Sequence, residues 1–207
     1  SSTSRGLGDV YKRQLMDNGD IDQAIGALEN TLSYNDANNM VYLTLGNAYN
    51  ENSDFYDAIK TLKNLFDLDR NNYRVAIKIS ENHIELDEFD SAYEWGLKAL
   101  KISKKNAESL SHMGNLYYKA MNACRGDNFS RSDKTVASLA YTYFAQAEKK
   151  GNYKYFKQKR WLEENDVLFG RADWFMLDKD IQTTGEVSPA GRCYDWVSES
   201  LTKQSDW

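Results

Sequence analysis

The residue types that most often carry chemistry are scarce in this chain. Its 207 residues include two cysteines, Cys124 and Cys193, and two histidines, His83 and His112. The cysteines do not form a Cys-x-x-Cys pair, and four soft ligands for zinc are not available near them. A disulfide between them would close a loop of about 70 residues, worth roughly 4 kcal/mol in the chain-entropy model. Free thiols are the expected state in a reducing cytoplasm, so both interpretations stay open.

No set of residues for catalysis is recognisable in the remaining sequence. The chain has no Ser/His/Asp arrangement, no glycine-rich phosphate loop and no His-Glu-x-x-His stretch. The acidic cluster at 163–166 is interpreted as a solvated helix face, and Arg125-Gly126-Asp127 as a turn. His83 and His112 are expected to pack in the interior or line a groove. We therefore predict no catalytic residue, no metal site and no cofactor, and an enzyme is the least favoured class of function.

The composition is that of a globular chain that can form many helices. The 23.8 kDa chain is 41% apolar and 28% charged, which suffices for one buried core and argues against disorder. Pro189 is its one proline, so long stretches lack the main helix breaker. The net charge of −5 argues against a nucleic-acid partner, which requires a basic face. No apolar run of about eighteen residues is present, so no membrane span is predicted.

The first residues do not look like part of a native domain. Residues 1–14 lack the apolar centre of a signal peptide, and the sequence does not begin with Met. Within their sequence, SSTSRGLGDVYKRQ, the run RGLGDVYKRQ resembles an assembly or adaptor scar. We expect residues 1–14 to be a non-native leader, and any signal peptide to be missing from this sequence.

Small and apolar residues recur every 34 positions. Ala24, Ala58 and Ala92 follow this step. The same step relates further sets of mostly apolar residues, among them Tyr11, Leu45, Ile79 and Met113, and Leu32, Phe66 and Leu100. Within each unit the apolar positions recur at three and four residues, the spacing of an amphipathic helix, and a short polar break splits the unit. Each unit is therefore predicted to be helix, turn, helix, and the units to stack around a shared core.

These helical pairs resemble the tetratricopeptide repeat family. The resemblance is closest at Leu45-Gly46-Asn47-Ala48-Tyr49, and Met113-Gly114-Asn115-Leu116-Tyr117 repeats it. It implies an all-α solenoid of about four repeats, at 5–38, 39–72, 73–106 and 107–152. A turn-rich insertion at 123–133 interrupts the fourth repeat, since the matching second helix resumes at Ala140 and not at Gly126. A capping helix at 153–166 and a mostly irregular tail at 167–207 complete the prediction.

The tail carries two apolar patches, at 174–177 and 193–197. We expect the second patch to be extended or to form a hairpin, with a short helix from Pro189 as the alternative. Trp174, Phe175 and Trp196 are candidates for an exposed cluster that docks a partner. The favoured alternative is that they cover the end of the solenoid as an apolar lid.

A narrower and looser resemblance covers the last third of the chain. A cysteine after the last first helix is followed by a long second helix and by a tail with paired aromatic residues and a second cysteine. This order is similar to that of exported bacterial tetratricopeptide repeat proteins with an aromatic and cysteine-containing tail. The matching residues are Cys124, Trp174, Phe175, Cys193, Trp196, Val197 and Thr202. This resemblance favours an exported or periplasmic location over a cytoplasmic one.

The first helices of tetratricopeptide repeats line a concave groove. Carrying the groove positions over to this chain gives a set that mixes amide, charged and aromatic groups. The set is Leu43, Asn47, Asn50, Arg74, Lys78, Glu81, Asn115, Tyr118 and Lys119. Such a surface suits an extended peptide or a helix, with the amides bonding its backbone. The alternative is that these are simply exposed helix residues.

The best-known site of the family, which clamps a C-terminal carboxylate, is incomplete here. Arg74 and Lys78 fit its basic third helix, but Asp9, Arg13 and Thr44 occupy the other positions of that register. The next register fails as well, because Leu43 replaces the lysine and Glu108 and His112 replace the basic pair. We therefore predict no carboxylate recognition of this kind.

Two functions follow from the sequence. The first is a non-enzymatic interaction scaffold that binds a peptide or protein segment in the groove, which is an analogy from fold to role. The alternative is an assembly or spacer element of an exported or envelope complex that docks through the aromatic tail. In both cases the partner is a protein or peptide and not a nucleic acid.

Overall fold

The computed structural model describes residues 20–205 and residue 207, in which the predicted all-α architecture is confirmed. The helices are α1 (Ile21–Tyr34), α2 (Asn39–Glu51), α3 (Phe55–Leu68), α4 (Tyr73–Glu85), α5 (Phe89–Ile102), α6 (Ala107–Cys124), α7 (Arg131–Lys149), α8 (Phe156–Glu164), α9 (Arg171–Phe175) and α10 (Lys179–Thr184). Two short strands, β1 (Glu186–Val187) and β2 (Leu201–Thr202), pair antiparallel with Val187 opposite Leu201. The predicted leader at 1–14 lies outside the described residues.

The helices form pairs that stack in chain order. The pairs α2–α3, α4–α5 and α6–α7 each pack tightly within themselves and against the next pair, and the first helices α4 and α6 also touch. One pair cannot bury its own apolar face, so stacking supplies the missing half of each core. The result is a solenoid in which α1 is the second helix of the first unit.

Asparagine starts the first helix of each complete unit. Asn38, Asn72 and Asn106 are the N-caps of α2, α4 and α6, and each side chain accepts a hydrogen bond from the backbone N–H three residues on. This cap satisfies one of the donors that a helix start leaves unpaired. The three asparagines follow the 34-residue step, so the repeat is encoded in its caps as well as in its core.

Glycine allows the two helices of a unit to approach closely. A Cβ placed on Gly46 of α2 would lie 2.8 Å from the Leu62 side chain of α3. At the equivalent Gly114 of α6 it would lie 2.5 Å from the Phe144 ring of α7. Both distances are too short for a real Cβ, so these crossings require glycine.

The insertion of the fourth unit lengthens the helices as well as the loop. α6 has 18 residues and α7 has 19, against 13 and 14 in α4 and α5. The connecting loop is 125–130, shorter than the predicted insertion at 123–133. Ser130 then caps α7, because its Oγ accepts from the Asp133 N–H while Asp133 Oδ2 accepts from the Ser130 N–H.

The core grows toward the C-terminal end of the chain. Small clusters fill the spaces between α1 and α2 and between α3 and α4. The largest cluster joins α5, α6, α7 and α8 with the tail. It includes the buried tail residues Val167, Phe169, Trp174, Leu177, Val187, Tyr194, Val197 and Leu201. The tail is therefore part of the folded domain.

Candidate functional site

A cleft of about 520 Å³ lies along the first helices of the stacked units. We call it the groove. Its walls come from α2, the start of α3, α4, α6 and the start of α8. The lining residues are Asn50, Phe55, Glu81, Ile84, Glu85, Asn115, Lys119, Tyr155 and Gln158. First and second helices alternate along the chain, so the first helices of all units lie in one row on the same side of the stack.

The structure brings together four of the nine groove residues proposed from sequence, namely Asn50, Glu81, Asn115 and Lys119. Two others belong to the packing between helices and not to the groove surface. Leu43 packs against the cluster formed by α3 and α4, and the Tyr118 ring lies 6.4 Å from that of Phe144. Asn47, Arg74 and Lys78 lie on the same helices without lining the cleft.

Five of the nine lining residues lie outside the sequence-derived set, and two of them, Ile84 and Glu85, belong to α4. Phe55 begins α3, and Tyr155 and Gln158 belong to the start of α8. The sequence contained a signal for the last two. The helix predicted at 153–166 follows α7, the second helix of the fourth unit. It therefore takes the position of a next first helix, in the row that lines the groove, as well as covering the end of the solenoid.

The groove offers side-chain amide atoms that make no hydrogen bond to the described residues. The Asn50 side chain donates to Asn82 Oδ1 at 2.9 Å, and Asn82 in turn donates to the Lys78 carbonyl oxygen at 2.8 Å. This orientation leaves the Asn50 side-chain oxygen as an acceptor. Asn115 and Gln158 make no side-chain hydrogen bond to any described residue. These groups are suited to bond the backbone of an extended segment.

The charges along the groove are mostly paired. Lys119 Nζ lies 3.9 Å from Glu85, and Arg74 Nε lies 3.0 Å from Glu108, which also accepts from the Tyr73 hydroxyl at 2.9 Å. Burial opposes ionisation of Glu108, but the hydrogen bonds from Arg74 and Tyr73 prevail and lower its pKa.

Glu81 differs from the other groove carboxylates. Burial raises the pKa of Glu81, and the positive charges of Lys154 and Lys78 only partly offset this effect. Its carboxylate makes no hydrogen bond or ion pair with a described residue. Glu81 is therefore a desolvated acidic group that faces the groove without a partner.

Both histidines are buried and hydrogen-bonded, which leaves them poorly placed for chemistry. His83 Nδ1 lies 2.7 Å from Glu88 Oε2, and His112 Nε2 lies 2.7 Å from Ser80 Oγ. Burial, helped by the charge of Lys154, lowers the pKa of His112 to about 4. Within the described part of the chain, no three His, Cys, Asp or Glu side chains are grouped to hold a metal ion.

The predicted docking cluster of the tail is largely packed inside the protein. Trp174 is 2% exposed, because α9 turns its ring into the main core beside Trp207, with 5.9 Å between the ring centroids. Trp174 is therefore not an exposed anchor, and this part of the prediction is wrong. Phe175, the next residue, is 60% exposed.

The second apolar patch of the tail forms successive turns instead of a strand. The Tyr194 N–H donates to the Gly191 carbonyl oxygen, and the Val197 N–H donates to that of Tyr194. The Trp196 indole N–H donates to the Cys193 carbonyl oxygen at 2.8 Å. These local bonds replace strand pairing, and the two-stranded hairpin forms from β1 and β2 on either side of the patch.

The segment 193–199 lies across α5, α6 and α7. The Trp196 ring packs on Tyr93 and Tyr117, with centroids 5.3 and 5.8 Å away. Three residues further on, Glu199 accepts hydrogen bonds from Tyr117 and Tyr143 at 2.9 Å. A disulfide joins Cys124, the last residue of α6, to Cys193, with 6.0 Å between their Cα atoms. The tail is thus held by stacking, hydrogen bonds and one covalent link.

The comparisons with known proteins identify the fold. No family model and no curated protein matches the chain. A tetratricopeptide repeat protein of Thermus thermophilus, TTC0263, aligns with a TM-score of 0.55 at 15% identity over 76% of this chain and 78% of that one. A MamA protein aligns with a TM-score of 0.52 at 20% identity over 81% and 96%. The MamA protein of Desulfovibrio magneticus gives 0.50 at 11% identity over 78% and 96%. The chain has the tetratricopeptide repeat fold.

Among the described helices, none combines the length and the apolar character needed to span a bilayer.

Proposed function

We propose that this protein is a non-enzymatic interaction scaffold that binds an extended peptide or protein segment in the groove. The observation that carries the proposal is the groove itself, a cleft of about 520 Å³ lined from α2, α4, α6 and α8. A cleft that crosses several stacked helices can hold an elongated ligand along its length. The tetratricopeptide repeat fold is consistent with this role by analogy.

The chemistry of the lining supports a peptide as the ligand. Asn50, Asn115 and Gln158 present amide groups that can bond a peptide backbone from several helices. Phe55 and Tyr155 provide apolar contact for its side chains. This combination of apolar wall and separated amides recognises a backbone and a few side chains together.

The absence of catalysis is part of the proposal. The two cysteines are joined in a disulfide, so neither thiol is available as a nucleophile. The two histidines are buried in the helix packing, and the pKa of His112 is too low for general base work near neutral pH. These features support a binding role and not a reaction.

Selection of linear peptides from a displayed library on the immobilised protein tests the groove. Asn115→Ala combined with Gln158→Ala should weaken the selected peptides about tenfold or more, because two hydrogen bonds are lost. Gln146→Ala, an exposed amide on the second helix α7, is the matched control and should leave affinity unchanged. Failure to select any peptide, or selected peptides that are indifferent to the double change, would contradict the proposal.

A second candidate function is docking through the tail into an exported or envelope complex. Phe175 and Met176 favour it, since these adjacent apolar side chains are 60% and 72% exposed. The disulfide supports an oxidising compartment, and hence export. Phe175→Ser with Met176→Ser should abolish capture of a tail-docked partner from an envelope extract and leave peptide binding in the groove intact. Equal capture by the variant and the parent protein would remove this candidate.

A further inference from the structure

We infer that the groove recognises a lysine or arginine side chain of the bound segment, with Glu81 as its counter-charge. This inference rests on the proposed function and specifies the chemistry of the partner. It is argued from the position of Glu81, the pairing of its neighbours and the apolar residues beside it.

Glu81 is the groove carboxylate that lacks a partner. It lines the cleft from α4, one helical turn before Glu85. Glu85 is matched by Lys119 at 3.9 Å, and Glu108 is matched by Arg74 at 3.0 Å. Among the described residues no donor bonds the Glu81 carboxylate. The Glu81 carboxylate is therefore available to bind a cationic group that enters the groove.

The partial burial of Glu81 favours binding of a cation. A partly desolvated carboxylate without hydrogen bonds is costly, and this cost is what raises its pKa. A guanidinium or ammonium group in the groove would supply both charge and donors. Charge-assisted hydrogen bonds of this kind are about twice as strong as neutral ones.

The nearby lysines do not already fill this role. Lys78, on the same helix, and Lys154, before α8, act on Glu81 only through longer-range attraction. The Lys154 ammonium lies 5.1 Å from the centroid of the Tyr155 ring. Glu85 and Glu108 add negative charge around Glu81. The charges around Glu81 therefore still favour a further cation contributed by a ligand.

The residues beside Glu81 match the shape of a long basic side chain. Phe55 supplies apolar surface, and Tyr155 supplies an aromatic ring at the α8 end of the cleft. The methylene stem of lysine or arginine packs on apolar surface while its charged end reaches a polar group. Asn50 and Asn115, on the flanking helices α2 and α6, are positioned to bond the backbone on either side.

The test uses the peptides selected on the immobilised protein, synthesised with acetylated N-termini so that only side chains are cationic. We expect one lysine or arginine to recur among them. Its replacement by norleucine should weaken binding about tenfold or more, the range of hydrogen bonds to charged groups. Glu81→Gln should weaken the parent peptide equally, and the two changes together should cost little more than either one. Glu94→Gln, an exposed carboxylate on the second helix α5, is the matched control.

The outcomes separate this inference from the proposed function. Peptides that depend on Asn115 but show no basic preference, with affinity unchanged by Glu81→Gln, would overturn the inference and leave the groove as a binding site. Peptides that require an acidic residue would also overturn it. If no selected peptide depends on Asn115, the proposed function itself fails. Circular dichroism of each variant, matched to the parent protein, shows that affinity changes do not come from unfolding.

Discussion

His112 illustrates how burial fixes the state of a single residue. The Ser80 hydroxyl donates its proton to the Ala92 carbonyl oxygen at 2.6 Å, so it can only accept from His112. The ring is therefore the tautomer protonated on Nε2. Its Nδ1 is buried without a partner, and any proton added there has no acceptor. This arrangement explains why burial keeps the pKa of His112 near 4.

The low pKa of His112 makes stability depend on pH. The unfolded state takes up a proton near pH 6.5, whereas the folded state does so only near pH 4. The contribution is therefore fully present above pH 6.5 and is lost as pH falls toward 4. We expect about 2 kcal/mol of stability to be lost from this residue between pH 7 and pH 5. Urea unfolding at both pH values should show a smaller loss in His112→Leu, and equal losses would contradict the prediction.

Glu199 holds the tail against the helices through hydrogen bonds to its carboxylate. Its carboxylate accepts from Tyr117 and Tyr143 at 2.9 Å and, more weakly, from Tyr93 at 3.4 Å. Replacing it leaves buried tyrosine hydroxyls without an acceptor. Glu199→Ala should therefore lower the free energy of unfolding by about 1–3 kcal/mol. Asp195→Ala, an exposed acid in the same segment, should change it by less than about 0.5 kcal/mol. Similar effects of the two variants in chemical denaturation would argue against this role of Glu199.

At the scale of helices, glycine acts in opposite ways at different positions. Gly114 lies where α6 crosses α7, and a Cβ there would meet the Phe144 ring at 2.5 Å. Gly26 lies within α1, and a Cβ there would meet no atom of a described residue within 4 Å. The same substitution therefore tests packing in one case and helix propensity in the other.

Gly114→Ala should destabilise the protein by about 1–3 kcal/mol, because the overpacking outweighs the gain in helix propensity. Gly26→Ala should stabilise it by about 0.5–1 kcal/mol, since alanine restricts the unfolded chain and no contact with a described residue opposes it. Thermal unfolding of the two variants should shift in opposite directions. A rise in midpoint for Gly114→Ala would show that α6 and α7 can move apart without cost.

The helices of the repeats were predictable from sequence because each is specified locally. The 34-residue step of Ala58 and Ala92 marks the second helices, and the N-cap step of Asn38, Asn72 and Asn106 marks the first. The position of Trp174 was not predictable in this way. Its burial depends on how the tail returns over distant helices, and no local pattern of α9 encodes that contact. Four of the nine predicted groove residues line the cleft, since first helices could be aligned from sequence but the exact lining depends on side-chain packing.

At the scale of the whole molecule, the tail and the repeats form one unit. The disulfide closes a loop with a sequence separation of 69, and its removal should cost roughly 4 kcal/mol. We nevertheless expect the tail of Cys193→Ser to stay docked, because Trp196 and Glu199 hold it independently.

Urea unfolding measures the cost of removing the disulfide, and limited trypsin digestion at the exposed Arg192 and Lys203 measures docking. Digestion of the variant at the rate of the parent protein is the expected result. Rapid cleavage at these two sites in the native variant would mean that the covalent link alone retains the tail.

The same link also determines how the protein responds to a pulling force. When tension is applied between the two ends of the chain, it passes from Cys124 directly to Cys193 and bypasses α7 to α10. The disulfide-closed loop, with a sequence separation of 69, then does not lengthen. At roughly 3.5 Å per residue, the stretched protein is about 240 Å shorter than the fully extended chain. Under load the helices before Cys124 carry the tension and yield, while α7 to α10, inside the disulfide loop, carry none. Reduction should restore the missing length in single-molecule stretching.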